Sequence, residues 1–316
     1  MGVLYFLESI RNPFFDAFFS AVTFLGGEAA FLIFGMVLYW CVDKNRGFYI
    51  MTVGFVGTMI NQVLKMIFMI PRPWVIDKNF TIVESARAEA TGYSFPSGHT
   101  QNAVGTYGGI ARFTKKVWLR VVLIVFALFV SFSRLYLGVH TPLDVGVSLA
   151  IGILLVFALY PLFELAKKKP FVMNYIFGGF VLLSVLFCLY VGFWNFPADV
   201  DKTNLLEARK IGASFLGASL AAFLCNPIEN RYIRFETAAP IPGQIVKILV
   251  GAALIFGVKT GLGQLFKLLG DGIEPLWLRC IRYFIIVAVS ILVYPLLFKY
   301  FSKIGAKKQR KNPRDS

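Results

Sequence analysis

The sequence predicts an all-α fold: a polytopic membrane helical bundle. Three observations predict it. The chain is 57% hydrophobic and only 16% charged, with a mean hydropathy of +0.69. Mostly apolar runs of about 20 residues, enough to cross hydrocarbon as a helix, recur along its length. Basic residues gather in alternate gaps between those runs, the signature of loops on one side of a membrane. A soluble chain of 316 residues would instead form one or two domains with alternating apolar and polar faces.

At the start, Val3, Phe6, Leu7, Ile10 and Phe14 recur at helical spacing, with Glu8 and Arg11 opposite. No basic stretch precedes them and no cleavage site follows, so they do not read as a secretory signal. The spacing predicts an amphipathic helix over residues 1–17, lying in the membrane interface and broken near Pro13. About nine spans are then expected, near 18–42, 47–70, 97–113, 117–138, 142–166, 172–196, 208–226, 244–266 and 276–302. Residues 18–196 would form a six-helix core, residues 197–302 three additional transmembrane helices without histidine, and residues 303–316 a basic cytoplasmic tail.

The net charge of +15 raises the question of a nucleic-acid partner, and its distribution answers it. Lys44 and Arg46, then Arg112, Lys115, Lys116 and Arg120, then Lys167, Lys168 and Lys169, then Arg231 and Arg234, and finally Lys307, Lys308, Arg310, Lys311 and Arg314 all fall on one side of a nine-span chain. That side is cytoplasmic by the positive-inside rule. Such a rim suits anionic lipid headgroups, and no nucleic acid is expected. Cys41, Cys188, Cys225 and Cys280 are scattered through apolar runs with no metal-ligand or redox spacing.

Against this background three polar clusters stand out on the opposite side, and they contain both histidines of the chain. In the first, Lys65 precedes Arg72 by seven residues, about two turns, so that a continued helix would carry both on one face. Lys65 either snorkels to the interface or faces a wet functional cavity. Arg72, between Pro71 and Pro73, offers a rigid fork for bidentate phosphate binding. In the second, Pro96-Ser97-Gly98-His99, Ser97 is a natural helix cap and Gly98 permits close backbone approach, so free amides and a helix dipole would face an anion. The third runs Ser133-Arg134, then His140, Thr141, Pro142 and Asp144. Asp144 reads as a capping acid at a helix start, or as the group that takes the proton of one His140 nitrogen and leaves the other free to attack. The two roles can coexist.

The spacings K-x6-RP, PSGH and SR-x5-H-x3-D resemble those of the type 2 phosphatidic acid phosphatase family, which includes glucose-6-phosphatase and the vanadium haloperoxidases. Every motif position is matched, over about a quarter of the chain, from Lys65 to Asp144. The resemblance implies a phosphoric monoester or diphosphate hydrolase in which His140 is the nucleophile, forming a phosphohistidine. It implies that His99 protonates the leaving oxygen and then activates water, with Asp144 completing the catalytic set. Lys65, Arg72, Ser97, Gly98 and Arg134 would bind the phosphoryl oxygens. These cations would replace the usual Mg²⁺, so no metal and no cofactor are expected.

The expected substrate is a lipid phosphate or diphosphate, of isoprenoid diphosphate or phosphatidic acid type, because the clusters sit at helix ends, at headgroup depth. Trp74, Tyr93 and Phe95 would line a lateral entrance. Asp77, Asn79, Glu84 and Glu89 keep open a hydrolase of a water-soluble sugar phosphate, as does the likeness of the Arg-Pro-aromatic run at Trp74 to the glucose-6-phosphatase branch. A non-catalytic lipid binder or scramblase would be expected to lack the nucleophile or the acid. The expected setting is a bacterial cytoplasmic membrane, with the site on its extracytoplasmic face, contacts to membrane lipids, and room for a homo-oligomer.

Overall fold

Apolar side chains at every helical position leave a membrane helix no polar stripe, so its ends are set by caps, prolines and charges. The computed structural model shows where those ends fall. It describes residues 1–270 and 272–305; Lys307, Lys308, Arg310, Lys311 and Arg314 of the expected basic tail lie outside the described residues. No strand occurs among the described residues.

The chain opens with α1 (Gly2–Ser9) and α2 (Pro13–Phe24), the latter started by Pro13 and by Asn12, whose side chain accepts from the Phe15 amide. α3 (Glu28–Cys41) and α4 (Lys44–Phe68) form a tight hairpin, with Asp43 capping α4 through the Arg46 amide at 2.9 Å. One turn, α5 (Pro73–Ile76), precedes the long loop to residue 97. A helical rod follows, made of α6 (Gly98–Ala103), a π-helical turn (Val104–Gly108) and α7 (Gly109–Phe113). Then come α8 (Val117–Tyr136), α9 (Pro142–Lys168), α10 (Val172–Phe193), α11 (Lys202–Ile228), α12 (Ile241–Leu269) and α13 (Leu276–Ala288), which continues as shorter turns to Phe301.

Seven helices among the described residues are long and apolar enough to cross a membrane, and α2 with α3 would make an eighth span bent by 48°. The expected span at 97–113 is the rod α6–α7. It is shorter than a full span because Thr114 turns to extended backbone, with ψ 129°. The nine expected segments are therefore seven long helices, one bent pair and one short rod.

The ends sort by charge. At one end Lys44 bonds Glu229 at 2.6 Å, Lys167 lies 3.9 Å from Asp43, and Arg112 stacks on Tyr160. At the other end the C-termini of α4 and α8 meet the N-termini of α6 and α9, bringing the three clusters together. The aromatic core between the ends includes Tyr39, Phe48, Tyr49, Phe163 and Phe177, and Tyr49 gives its hydroxyl proton to the Val156 carbonyl at 2.7 Å. α12 docks on α3 through Lys247. Its fully buried ammonium donates to the carbonyls of Trp40 (3.2 Å) and Thr237 (3.0 Å), which offsets the cost of burying a charge. Near the start of α13, Glu274 accepts from both Arg279 and Arg282.

The N-terminal helix turns its polar side inward. Tyr5 donates to Asp77, Glu8 accepts from the amide and hydroxyl of Thr81, and Arg11 donates to the carbonyls of Thr81 and Tyr136. Val3, Phe6, Ile10 and Phe14 point outward as expected, but Leu7 is buried with Leu4. Arg11 reaches the loop that carries His140: a side chain at Gly138 would collide with its guanidinium and with Phe80. Gly138 also has φ +78°, a conformation costing other residues roughly 1–3 kcal/mol.

Candidate active site

Arg72 gathers the site. α4 stops at Phe68, where Met69 takes a left-handed conformation (φ 46°), so Arg72 does not continue the helix of Lys65 as the spacing suggested. Instead it caps α5 from an extended backbone, as the residue before a proline prefers. From there its buried guanidinium donates to the carbonyls of Thr91 (2.8 Å), Gly92 (2.9 Å) and Val139 (2.9 Å), and Nη1 lies 3.0 Å from His140 Nε2. Gly92 can present its carbonyl because it sits at φ +76° beside Asn204 of α11, with no room for a side chain.

An arginine only donates, so Nε2 of His140 must be the accepting nitrogen and Nδ1 must carry the proton. Nδ1 lies 3.4 Å from Asp144 Oδ2, without the alignment of a hydrogen bond. The same carboxylate oxygen accepts from Ser94 Oγ (2.6 Å) and the Thr141 amide (2.7 Å), while Thr141 Oγ1 accepts from the Asp144 amide (3.3 Å). Asp144 therefore closes the capping box, and its carboxylate lies beside the imidazole without a hydrogen bond to it. Burial, and then the charges of Arg72, Arg134 and Lys65, push the His140 pKa well below its ordinary value of 6.5.

Ser97 caps α6 by accepting from the Thr100 amide at 3.4 Å, and its own amide donates to the Asp144 carbonyl, joining the second cluster to the third. A side chain added at Gly98 would meet nothing within 4 Å, so this helix start opens onto free space. His99, mostly buried, sets Nε2 3.1 Å from Glu89 Oε2. That bond holds the Glu89 carboxyl below the usual carboxylate range. No described residue bonds the Nδ1 atom of His99.

Arg134, fully buried at the end of α8, gives Nη1 to Thr23 Oγ1 at 2.6 Å. Its Nε and Nη2 are buried with no partner among the described residues. Lys65 is half-buried on α4 and also lacks a described hydrogen bond. Two imidazoles, a free helix start and unused cationic donors thus converge at one end of the bundle, as the geometry of a phosphoryl-transfer site requires. No group of three His, Cys, Asp or Glu side chains placed to hold a metal ion occurs among the described residues.

The contributors that escaped sequence reasoning in these roles are Thr23, Glu89, Ser94 and the carbonyls of Thr91, Gly92 and Val139. Only Glu89 had a visible signal, an acid ten residues before His99 in a polar loop. Two expected contributors are used otherwise. Phe95 is buried against Phe68, and Tyr93 accepts from the Asp201 amide while its own amide donates to Asn204, so neither is free to line an entrance.

The arrangement is a cluster of two histidines and unpaired cationic donors at one end of a bundle of membrane-length helices. Comparison with known proteins gives it a lineage: residues 46–168 match the PAP2 superfamily, and residues 211–308 match the transmembrane extension of PAP2 superfamily phosphatases. The chain is 33% identical over 170 residues to undecaprenyl-diphosphatase BcrC of Bacillus subtilis, covering 52% of this chain and 82% of that protein. It is 30% identical over 172 residues to phosphatidylglycerophosphatase B of the same organism, covering 50% and 80%. A probable sphingosine-1-phosphate phosphatase of Dictyostelium discoideum is 26% identical over 287 residues, covering 83% and 69%. No solved structure matches the chain. The protein belongs to the PAP2 superfamily and is an integral membrane phosphatase, a hydrolase of phosphoric esters.

The His140 environment has a thermodynamic consequence. Folding favours its neutral form, so its contribution to stability is complete above pH 6.5 and is lost as pH falls from there towards the folded-state pKa, by at most about 1.4 kcal/mol per pH unit. In phosphate-free buffer, thermal unfolding of the wild type between pH 7 and 5 should be more acid-sensitive than that of His140→Gln. Equal pH dependence would show that His140 is not held neutral.

Proposed function

We propose that this membrane phosphatase hydrolyses a lipid phosphate or diphosphate through a phosphohistidine on His140. The observation that carries the reading is the set of unused donors around His140: Arg134 Nε and Nη2, the open helix start at Gly98, and Lys65. A phosphoryl group there would draw Arg72 Nη1 from Nε2 onto its own oxygens. The freed lone pair attacks phosphorus as the bond to the leaving oxygen breaks, and His99, braced by Glu89 and having taken up a proton as the dianionic substrate enters, gives that oxygen the proton. Water then gives a proton to His99, and its oxygen attacks phosphorus. The P–N bond breaks, regenerating His140 and releasing inorganic phosphate. Asp144 keeps the His140 proton on Nδ1 throughout.

Lipid is favoured over sugar by the commitments of the loop residues. Asp77 is bonded to Tyr5, Glu84 to Arg87 and Glu89 to His99, which leaves few polar groups to recognise hydroxyls. The relatives named above are phosphatases of a diphosphate, a glycerophosphate and a sphingoid phosphate, each lipid-linked, and they support the same class of substrate. The positive-inside rule puts the basic end in the cytoplasm and the catalytic end outside.

His140→Ala is expected to abolish turnover and the acid-labile phosphoenzyme, and His99→Ala to slow turnover by about 10²–10⁴-fold. More than a few per cent of activity in His140→Ala would remove the nucleophile assignment. Topology is tested separately: on a cysteine-free background, a reporter cysteine in loop 78–90 should react with an impermeant thiol reagent on intact cells, and one at 167–169 only after lysis. The opposite labelling would put the site in the cytoplasm. In competition assays, kcat/KM for a polyprenyl diphosphate or phosphatidic acid should exceed that for glucose 6-phosphate by at least about 100-fold, or ~2.7 kcal/mol. Equal turnover of the sugar in nanodiscs would overturn the lipid reading while leaving the mechanism standing.

A further inference from the structure

Hydrolysis uses only one end of the bundle, yet the lipid-facing wall carries a second shaped feature. A groove of about 430 Å³ runs between α8, α9 and the rod α6–α7, a volume within the range of ligand sites. Gly108 keeps the rod side open, since a side chain there would touch only Val104 and Val156 at ordinary contact distance. Leu128 on α8 and Ile153 and Phe157 on α9, each about half exposed, supply apolar walls.

The groove ends in charge. Arg112 and Arg120 line it, and both heads are pre-positioned: the Arg112 guanidinium lies 4.4 Å from the Tyr160 ring centroid and 5.4 Å from that of Phe157, and Arg120 Nε donates to the Thr114 carbonyl. Neither arginine pairs with a carboxylate among the described residues. Lys115 and Lys116 lie between them, and no acid follows Arg112 until Asp144. Trp118, largely exposed beside them, is the residue type that settles at the membrane interface. Arg120 stands fourteen residues before Arg134 on α8, or about 21 Å at 1.5 Å per residue. The groove therefore belongs to the leaflet opposite the catalytic pocket and cannot be the substrate's reacting position.

We propose that this groove binds an anionic phospholipid, with one acyl chain against Gly108, Leu128 and Ile153 and the headgroup phosphate held by Arg112 and Arg120. A dispersed apolar chain alone would not need the two fixed guanidiniums, and a soluble anion would not need the groove. The bound chain would pack against the π-helical turn of the rod whose other end carries His99, bracing the least regular part of that rod. The site is independent of the substrate assigned to the catalytic pocket.

The test uses the full chain in neutral detergent, with thermal unfolding followed as phosphatidylglycerol, phosphatidylcholine of the same acyl chains, or free glycerol phosphate is added. Phosphatidylglycerol should stabilise the protein with at least about tenfold tighter apparent affinity than phosphatidylcholine, and glycerol phosphate should not stabilise it. Arg112→Gln/Arg120→Gln should lose the preference for the anionic lipid. Ile153→Trp, which fills the groove from an exposed position, should lose the stabilisation while keeping the charges. Both variants should retain basal phosphatase activity. The proposal is overturned if phosphatidylcholine acts equally, if glycerol phosphate suffices, or if both variants respond like the wild type. It is also overturned if the effect vanishes only in Arg134→Gln, which would put the lipid in the catalytic pocket, or if it follows formation of a dimer, which would make a second copy the occupant.

Discussion

One guanidinium holds the catalytic end together. Arg72 bonds three backbone carbonyls from two separate stretches of chain and reaches the ring of His140. A buried arginine cannot shed its charge, and leaving its donors unpaired is costly, so the loop at 91–92 and the turn at 139 must come to it. The prolines at 71 and 73 limit where Arg72 can stand, and the left-handed Met69 ends the helix before it. The site is thus shaped first by the need to satisfy a cation.

Charge accounts for the rest of the pocket. Arg134 is buried with two nitrogens unused, an arrangement that stability alone would select against. Such a shortfall is tolerated where a ligand makes it good, and an anion at Gly98 would meet the positive end of α6 as well. The partner of each histidine fits the same scheme. Asp144 is already bound by Ser94 and the Thr141 amide, so it can orient His140 without taking its proton. Glu89 is partly exposed and holds one edge of the His99 ring.

Much of this was legible from the residues, and what was hidden has a physical explanation. The caps at Ser97 and Thr141 could be read because a capping side chain acts on amides two or three residues away. The clustering of Arg72, Arg134, His99 and His140 could be read because charged groups have few other reasons to lie in apolar sequence. The carbonyls of Thr91, Gly92 and Val139 could not, since a main-chain acceptor leaves no trace in residue identity. Ser94 and Thr23 were hidden because hydroxyls are common in membrane helices and loops, and their partners lie 50 and 111 residues away. Counting apolar runs gave the segments, but length alone did not separate a full span from the rod ending at Thr114. Lys65 and Arg72 looked like neighbours on one helix because a repeat of seven carries no sign of the turn that breaks it.

The inward-facing polar side of α1 has a consequence for how the site is completed. Tyr5, Glu8 and Arg11 fasten the 77–81 stretch, and Arg11 also lies against Gly138, two residues from His140. The first eleven residues work as a buckle on a strap whose other end is the catalytic turn. A chain trimmed at residue 12 would keep both histidines, Arg72 and Arg134 and lose the fastening behind them. A bulky fusion placed at Met1 would press on the same buckle. His140 lies near the middle of these residues, but the turn that carries it is fastened by residues 5–11.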